Sequence, residues 1–354
     1  MKKMFLILLM IVLASVLILG SCAKPAPVPT PAPTPTPVEP IKLRFSNSIP
    51  MVTVFNKDVF PAWIEEIEER TAAIGKPVEI TMFGAAALGK SDVQYDLVVN
   101  GVADIAMSGM ENWPGRFPVT EVMELPFLFP SATVAGLVAW DLFEKYPCFH
   151  DQFAETKLLW FGPTAPAYFS MCTKQIKTLE DLKGMKVIGK GTPTNEALKL
   201  MGATPVMIIM PETYNALERG LVDGGVLESE GTFAFKWHEV TKYRTCLPQG
   251  FFVVRLATSM NWDAWNSLPP EVQKIFEELS GRYMCKFSGE IVDKVDAHLL
   301  DAIKSYDKKV GNPEIYNLPQ DEFQRWRKVV TPVYDKWITD MEAKGLPGRA
   351  ILED

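Results

Sequence analysis

The chain has 354 residues, a formal net charge of −7 at pH 7 and 47% hydrophobic residues. No cluster of lysine or arginine stands out in this acidic chain, which argues against nucleic acid as a partner. The three histidines, His150, His238 and His298, are scattered, and the cysteines form no CxxC pair. Zinc binding and histidine-based catalysis are therefore not expected, and no cofactor is predicted.

The N-terminus predicts export from the cytoplasm. Two lysines precede a mostly apolar run over residues 4–19, which is shorter than the about 20 apolar residues that span a bilayer. The run ends in Leu-Gly-Ser followed by Cys22, a pattern that resembles a bacterial lipobox. We predict a lipoprotein signal peptide over 1–21 and a lipidated Cys22 that anchors the chain to the membrane. An ordinary signal peptide with a chance cysteine is the alternative.

A proline-rich tether is predicted over residues 22–40. Proline recurs there at every second or third position, and such a segment favours an extended polyproline II conformation. At about 3.1 Å per residue the tether would be on the order of 50 Å long. The sequence therefore predicts an extracytoplasmic domain held near a membrane, in the periplasm or at the cell surface.

From residue 41 onward the sequence alternates between strand and helix patterns. A first cycle predicts strands at IKLRFSN, VEITMFG and ADIAMSG, with helices at VFNKDVFPAWIEEIEERT and SDVQYDLVVNG. A second cycle predicts strands at MKVIG, ATPVMII and VDGGVLE, with helices at TPTNEALKLMG and PETYNALERG. Thr192 or Thr194 is expected to cap the first of these two helices. Such β-α-β runs predict the α/β class with mostly parallel sheets covered by helices.

The stretch GMKVIGKGT, residues 184–192, nearly matches a phosphate-binding loop. Gly189 and Lys190 fit that pattern, but Gly191 stands where the magnesium-binding hydroxyl belongs, and Thr192 comes one position late. Because ATP is not normally available outside the cytoplasmic membrane, we interpret these glycines as a strand-to-helix turn.

A third block, from LPPEVQKIFEE to the end of SYDKKVG, keeps the helical spacing of apolar residues and has no proline after Pro270. This pattern predicts one unusually long helix, or two helices with a break at Gly281 or Gly289. A coiled coil is the alternative. A helix of this length could run along two lobes.

Two α/β lobes and a spanning helix predict a clamp for a small molecule, with the ligand in the cleft at the carboxyl ends of the strands. The predicted lobe I comprises 41–165 and 254–293, and lobe II comprises 166–253 and 294–354 with the C-terminal helices. Disulfides can form outside the cell, and Cys172 could pair with Cys246 if both lie in one lobe.

Four stretches carry a resemblance to a known family. They are VEITMFGAAALGKSDVQYDLVVNGVADIAM, MELPFLF, the segment from TLEDLKGMKVI to YNALERGLVDGG, and WNSLPPEVQKIFEE. Together they resemble the solute-binding proteins of tripartite ATP-independent periplasmic (TRAP) transporters, of the dicarboxylate-binding type. The resemblance implies a receptor that closes on a small organic solute by a hinge, delivers it to a permease of a small and a large membrane subunit, and catalyses nothing.

The chain departs from this family at the position of its usual ligand-binding arginine. That arginine would pair with a ligand carboxylate through two hydrogen bonds, but Ile188 stands at the matching position. Three hypotheses follow: a ligand without a carboxylate or with a bulky apolar body, a substitute arginine at Arg255, or a cation that bridges the ligand to Glu228 or Glu230.

The resulting candidate ligand contacts are Ser46, Asn47, Trp113, Tyr168, Ile188, Met210, Glu228, Phe251 and Arg255. Structural alternatives stay open for most of them: Ile188, Met210, Trp113 and Tyr168 as core residues, Glu228 as a solvated acid, Ser46 and Asn47 as loop caps, and Arg255 in an ion pair. Two other functions stay open, a solute-sensing partner of a membrane signalling receptor and, with no Gly-x-Ser-x-Gly motif to support it, an extracellular hydrolase.

Overall fold

The computed structural model describes residues 38–113, 115–208 and 210–354. The predicted signal peptide, Cys22 and all but the end of the predicted tether lie outside these residues. Within the described ranges, no helix is both long enough and apolar enough to cross a lipid bilayer.

The strands of the described chain form two sheets. The strands are β1 (Ile41–Ser46), β2 (Val78–Phe83), β3 (Ile105–Gly109), β4 (Thr156–Phe161), β5 (Tyr168–Met171), β6 (Lys186–Ile188), β7 (Thr204–Val206), β8 (Gly224–Leu227), β9 (Tyr243–Cys246), β10 (Leu256–Asn261) and β11 (Tyr316–Asn317). The first sheet has the order β2-β1-β3-β10-β4 and the second β11-β9-β5-β8-β6-β7.

Helices and helical turns connect these strands. The α-helices are α1 (Phe60–Ala73), α2 (Gln94–Val99), α3 (Ala132–Lys145), α4 (Pro147–Gln152), α5 (Gly191–Leu200), α6 (Thr213–Glu218), α7 (Ser229–Ala234), α8 (Trp262–Ser267), α9 (Pro270–Glu278), α10 (Gly281–Val310), α11 (Gln320–Glu342) and α12 (Gly348–Glu353). A π-helical turn covers Phe55–Val59, and 3₁₀ turns cover Ser91–Val93, Met110–Asn112, Thr120–Glu124, Leu179–Leu182, Met210–Glu212 and Trp237–Glu239.

The predicted α/β class and two-lobed clamp are confirmed. Each sheet combines parallel and antiparallel strand pairs, whereas mostly parallel sheets were predicted. In the first sheet β2 and β3 run parallel to β1, but β10 runs antiparallel to β3 and β4. In the second sheet β6 runs parallel to β7 and β8, but β5 runs antiparallel to β8 and β9. We call the part built on the first sheet the first lobe and the part built on the second sheet the second lobe.

An aromatic core supports the first lobe. The alternation in β1 turns Phe45 inward, where its ring meets Phe60 of α1 at 4.7 Å between centroids. Trp63, one turn along α1, packs edge to face on Trp160 of β4 at 4.6 Å and on Phe276 of α9 at 5.8 Å. These rings fix α1 and α9 against the sheet.

Two crossover segments, 162–167 and 250–256, run side by side between the lobes. The backbone N–H of Ala167 donates to the carbonyl of Phe252 (2.9 Å), and the N–H of Phe251 donates to the carbonyl of Ala167 (2.7 Å). The lobes are therefore joined by a short paired ribbon, which we call the crossover ribbon.

The long helical block is two helices. α9 ends at Glu278, and Gly281 begins α10 with a φ of 55°, a value that glycine adopts readily. The alternative with a break at Gly281 is confirmed, and the 30 residues of α10 span about 45 Å.

α10 contacts both lobes. In its middle, Asp293 accepts hydrogen bonds from the backbone N–H (3.0 Å) and hydroxyl (2.6 Å) of Thr133 at the start of α3. One turn later, Asp296 accepts a hydrogen bond from the hydroxyl of Ser229 at the start of α7, in the second lobe. α10 is thus the predicted lobe-spanning helix.

Two local expectations are wrong. Lys190, not a threonine, occupies the N-cap of α5, because Gly191 turns the chain with a φ of 71° and so places Thr192 and Thr194 inside the helix. All described cysteines are free. Cys172 and Cys246 both belong to the second lobe, but they lie at opposite ends of the β5–β9 ladder, and so they cannot form a disulfide.

Candidate functional site

The two lobes meet where strands of the second sheet end. β6 ends at Ile188 and β8 ends at Leu227, and α5 follows β6 at Gly191. A Cβ added at Gly191 would lie 3.0 Å from Oε2 of Glu124, a residue of the first lobe. Because ligands of α/β folds bind at such strand ends, we take this junction as the candidate site.

Five charged side chains surround the junction, and we call them the junction cluster: Glu111, Glu124, Lys190, Glu228 and Arg255. In the second lobe, the ammonium of Lys190 binds both carboxylate oxygens of Glu228, at 2.7 and 3.1 Å. Lys190 precedes α5, and Glu228 occupies the N-cap of α7. The Lys190 side chain keeps 24% of its area exposed, whereas Glu228 keeps 6%.

In the first lobe, Arg255 and Glu124 form a buried ion pair. Nε of Arg255 lies 2.8 Å from Oε1 of Glu124, with each side chain 6% exposed. A second guanidinium nitrogen donates to the hydroxyl of Thr120 (2.9 Å). The guanidinium is thus already neutralised and hydrogen-bonded inside its own lobe.

Glu111 is the acid of the junction cluster that has no directly paired cation in the described part of the chain. Its Oε2 is buried and has no hydrogen-bond partner among the described residues. Burial and the charge of Glu124 raise the pKa of Glu111 to about 7, against the opposing influence of Arg255 and Lys190. This carboxyl group is therefore held partly protonated near neutral pH.

A second contact between the lobes lies beside the cluster. The backbone N–H of Val54, at the π-helical turn of the first lobe, donates to Glu230 of α7. Burial raises the pKa of Glu230 to about 6, with Glu228 and Asp296 as further causes. Burial likewise raises the pKa of Asp296 to about 6.

Ser46 and Asn47 have partners inside the first lobe. The Ser46 hydroxyl donates to Oε1 of Gln94 (2.8 Å), and the Asn47 amide donates to Oδ1 of Asn56 (2.9 Å). Both residues are fully buried. These side chains are therefore paired with other side chains inside the first lobe.

Trp113, Tyr168 and Ile188 occupy three different environments. The Trp113 indole N–H faces the Asp96 carboxylate at 3.3 Å in the first lobe. Tyr168 is buried at the start of β5, where burial raises the pKa of its hydroxyl and Asp296 adds to the shift. Ile188 is 2% exposed and packs in a small apolar cluster of the second lobe, which matches its core alternative.

Met210 and Phe251 also differ in environment. Met210 begins a 3₁₀ turn beyond the edge strand β7 and is 37% exposed. Phe251, in the crossover ribbon, packs edge to face on Phe127 at 4.9 Å and on Phe169 at 5.5 Å. The Phe251 ring thus belongs to the core beside the ribbon.

Of the candidate contacts, the junction cluster contains Glu228 and Arg255. Sequence reasoning missed Glu111, Glu124 and Lys190 as site residues. Glu124 stands inside the quoted MELPFLF, and Lys190 inside GMKVIGKGT. Neither Glu228 nor Glu230 belongs to a group of three or more metal-ligating side chains within the described ranges.

Comparison of the sequence with known protein families identifies a match over most of the chain. Residues 45–340 match the family model described as DctP, bacterial extracellular solute-binding protein, family 7. The C4-dicarboxylate-binding periplasmic protein DctP of Rhodobacter capsulatus is 25% identical over 306 residues, which are 84% of this chain and 86% of that protein. These matches confirm the resemblance that the four sequence stretches indicated.

Two solved structures are similar over nearly the whole described chain. A TRAP solute-binding protein of Rhodoferax ferrireducens in complex with benzoate has 28% identity and a TM-score of 0.79, with 88% of this chain and 95% of that chain covered. A marine metagenome TRAP solute-binding protein in complex with 3-hydroxybenzoate has 26% identity and a TM-score of 0.80, with 89% and 97% covered.

Proposed function

Because the chain belongs to bacterial extracellular solute-binding protein family 7, we propose that it is a receptor that binds a small organic acid between its two lobes. The observation that carries this proposal is the junction cluster, in which charged side chains of both lobes converge at strand ends. A solute there would be enclosed by both lobes at once.

The solute class that fits best is an aromatic monocarboxylic acid. The two similar structures described above contain benzoate and 3-hydroxybenzoate. An aromatic acid combines the bulky apolar body and the carboxylate that the sequence hypotheses treated separately. Arg255 is already paired with Glu124, so it is a weaker candidate for the carboxylate than a residue with a free donor.

The crossover ribbon supports closure by a hinge. It joins the lobes through a few backbone hydrogen bonds, and short connecting segments are where domain closure concentrates its backbone changes. We further propose that Cys22 carries the lipid anchor and that the tether follows it. The closed receptor then docks on the small and large membrane subunits of a TRAP permease without catalysing a reaction.

The predicted lobe boundaries at residues 165/166, 253/254 and 293/294 stay part of this proposal.

The experiment combines thermal unfolding with small-angle X-ray scattering, in the presence of benzoate, 3-hydroxybenzoate or succinate. Saturation at about a hundredfold excess over the dissociation constant should add about 2.7 kcal/mol of stability, and the radius of gyration should fall as the lobes close. Benzoate added to a heat-unfolded and refolded sample serves as the control for reversibility. Binding without any change in the scattering profile would contradict hinge closure, and no stabilisation by any of the three acids would contradict the organic-acid function.

A further inference from the structure

We propose that Lys190 binds the acid group of the solute and that Glu228 sets how tightly it does so. This inference rests on the proposed function, and it assigns the carboxylate contact to a residue two positions after Ile188, where the family arginine is missing. Lys190 combines a positive charge, an exposed fraction and a position at the end of β6.

The ammonium of Lys190 has bonding capacity left for a solute. A lysine ammonium has three N–H donors, and Glu228 accepts through two oxygens at 2.7 and 3.1 Å. Of the two side chains, Lys190 is 24% exposed and Glu228 is 6% exposed, so Lys190 is the more accessible member of the pair. An incoming carboxylate can therefore contact Lys190 while Glu228 stays in place.

The first turn of α5 adds a second, independent indication of an anion. The N-cap of this ten-residue helix has no side-chain hydrogen bond, and helix N-termini favour negative charge. The Thr194 hydroxyl in the same turn is fully buried and has no hydrogen-bond partner in the described structure. The Glu124 carboxylate of the first lobe lies beside Gly191 at the start of this turn, and an acid group at Lys190 would add an acceptor for the Thr194 hydroxyl.

The opposite side of the junction selects against a second acid group. Glu124 is already paired with Arg255, and Oε2 of Glu111 is buried without a partner. A dicarboxylate held by Lys190 would direct its second carboxylate toward these acidic residues. The junction cluster therefore favours monocarboxylates over dicarboxylates.

The test is isothermal titration calorimetry with benzoate and succinate on four variants. Lys190→Met combined with Glu228→Gln removes the cation without leaving a buried unpaired carboxylate, and it should weaken benzoate binding by about tenfold or more. Glu228→Gln alone removes a negative charge beside the solute and should strengthen benzoate binding several-fold. Lys190→Arg keeps the charge and should stay within several-fold of wild type. Lys186→Met, exposed at the opposite end of β6, is the matched control and should leave affinity unchanged.

The expected changes in benzoate affinity are opposite: the double variant binds more weakly and Glu228→Gln binds more tightly. If Lys190 and Glu228 formed only a structural ion pair, both of these variants would lose thermal stability and Glu228→Gln would not bind benzoate more tightly. If the wild type binds benzoate and the double variant binds it equally well, the assignment to Lys190 is overturned while the organic-acid function stands. If the wild type binds neither benzoate nor succinate, both the assignment and the proposed function are overturned.

Discussion

The Cα of Pro166 lies 2.9 Å from the point that a Cβ at Gly250 would occupy, and the Cβ of Pro166 is closer still. The two residues face each other across the crossover ribbon. Proline is rigid, and its backbone cannot move aside without disturbing the ribbon. Glycine at position 250 is therefore a steric requirement of the connection between the lobes.

Gly250→Ala should destabilise the protein by about 1–3 kcal/mol, the usual range for overpacking. Thermal or urea unfolding measures this change. Pro248→Ala, a change at an exposed position two residues before Gly250, is the control and should alter stability by about 1 kcal/mol or less. If Gly250→Ala and wild type unfold with the same free energy, the ribbon has room for a Cβ at position 250 and the steric requirement does not hold.

The pair of Arg244 and Asp307 gives a second prediction. Nε of Arg244 in β9 lies 3.0 Å from Oδ2 of Asp307 in α10, and the side chains are 0% and 3% exposed. Asp307→Ala would leave the guanidinium buried without its counterion, so we expect a loss of about 3–5 kcal/mol in the free energy of unfolding.

Asp301 provides the matched control on the same helix. It pairs with Lys304 at 2.8 Å, but both side chains are more than half exposed. Asp301→Ala should therefore change the free energy of unfolding by less than about 1 kcal/mol. A loss at Asp307 no larger than the loss at Asp301 would mean that the buried pair does not hold α10 to the second lobe.

Glu111 gives a prediction on pH. Its pKa rises from 4.5 to about 7 through burial and Glu124, so the folded protein keeps a proton that the unfolded chain releases at lower pH. Stability should fall as pH rises through this window and level off above it. Glu111→Gln should flatten the fall and add up to roughly 3 kcal/mol above pH 7.

Urea unfolding from pH 4 to pH 9 measures this dependence for Glu111→Gln and wild type. Glu314→Gln, exposed in the described structure, is the control and should follow the wild-type curve. Parallel curves for Glu111→Gln and wild type would assign the pH dependence to other groups, with Glu230 and Asp296 as the next to change.

The strands and the long helix could be predicted because their signals are local. Alternating apolar residues in β1 place Phe45 in the core. The start of α10 could be predicted because its first residue has a positive φ, which glycine adopts readily, and Gly281 stands there. The directions of β5 and β10 could not be read in this way, because they depend on how the chain crosses between the lobes.

The junction cluster could not be predicted because its pairs are distant in sequence. Lys190 and Glu228 are 38 positions apart, and no short pattern joins them. The glycine-rich turn connects β6 to α5, as its glycines predicted, but this local pattern carries no signal for the partner of Lys190. Phe251 shows the opposite case: an aromatic residue near a predicted cleft packs on Phe127 and Phe169 instead, since the crossover ribbon buries it.

The spacing of Asp293 and Asp296 limits which sequence changes α10 can accept. The two carboxylates are one turn apart and hold different lobes. Inserting or deleting a single residue between them would rotate everything that follows by about 100° around the helix axis. We therefore expect the length of this stretch to be constrained more tightly than the identity of the side chains along it.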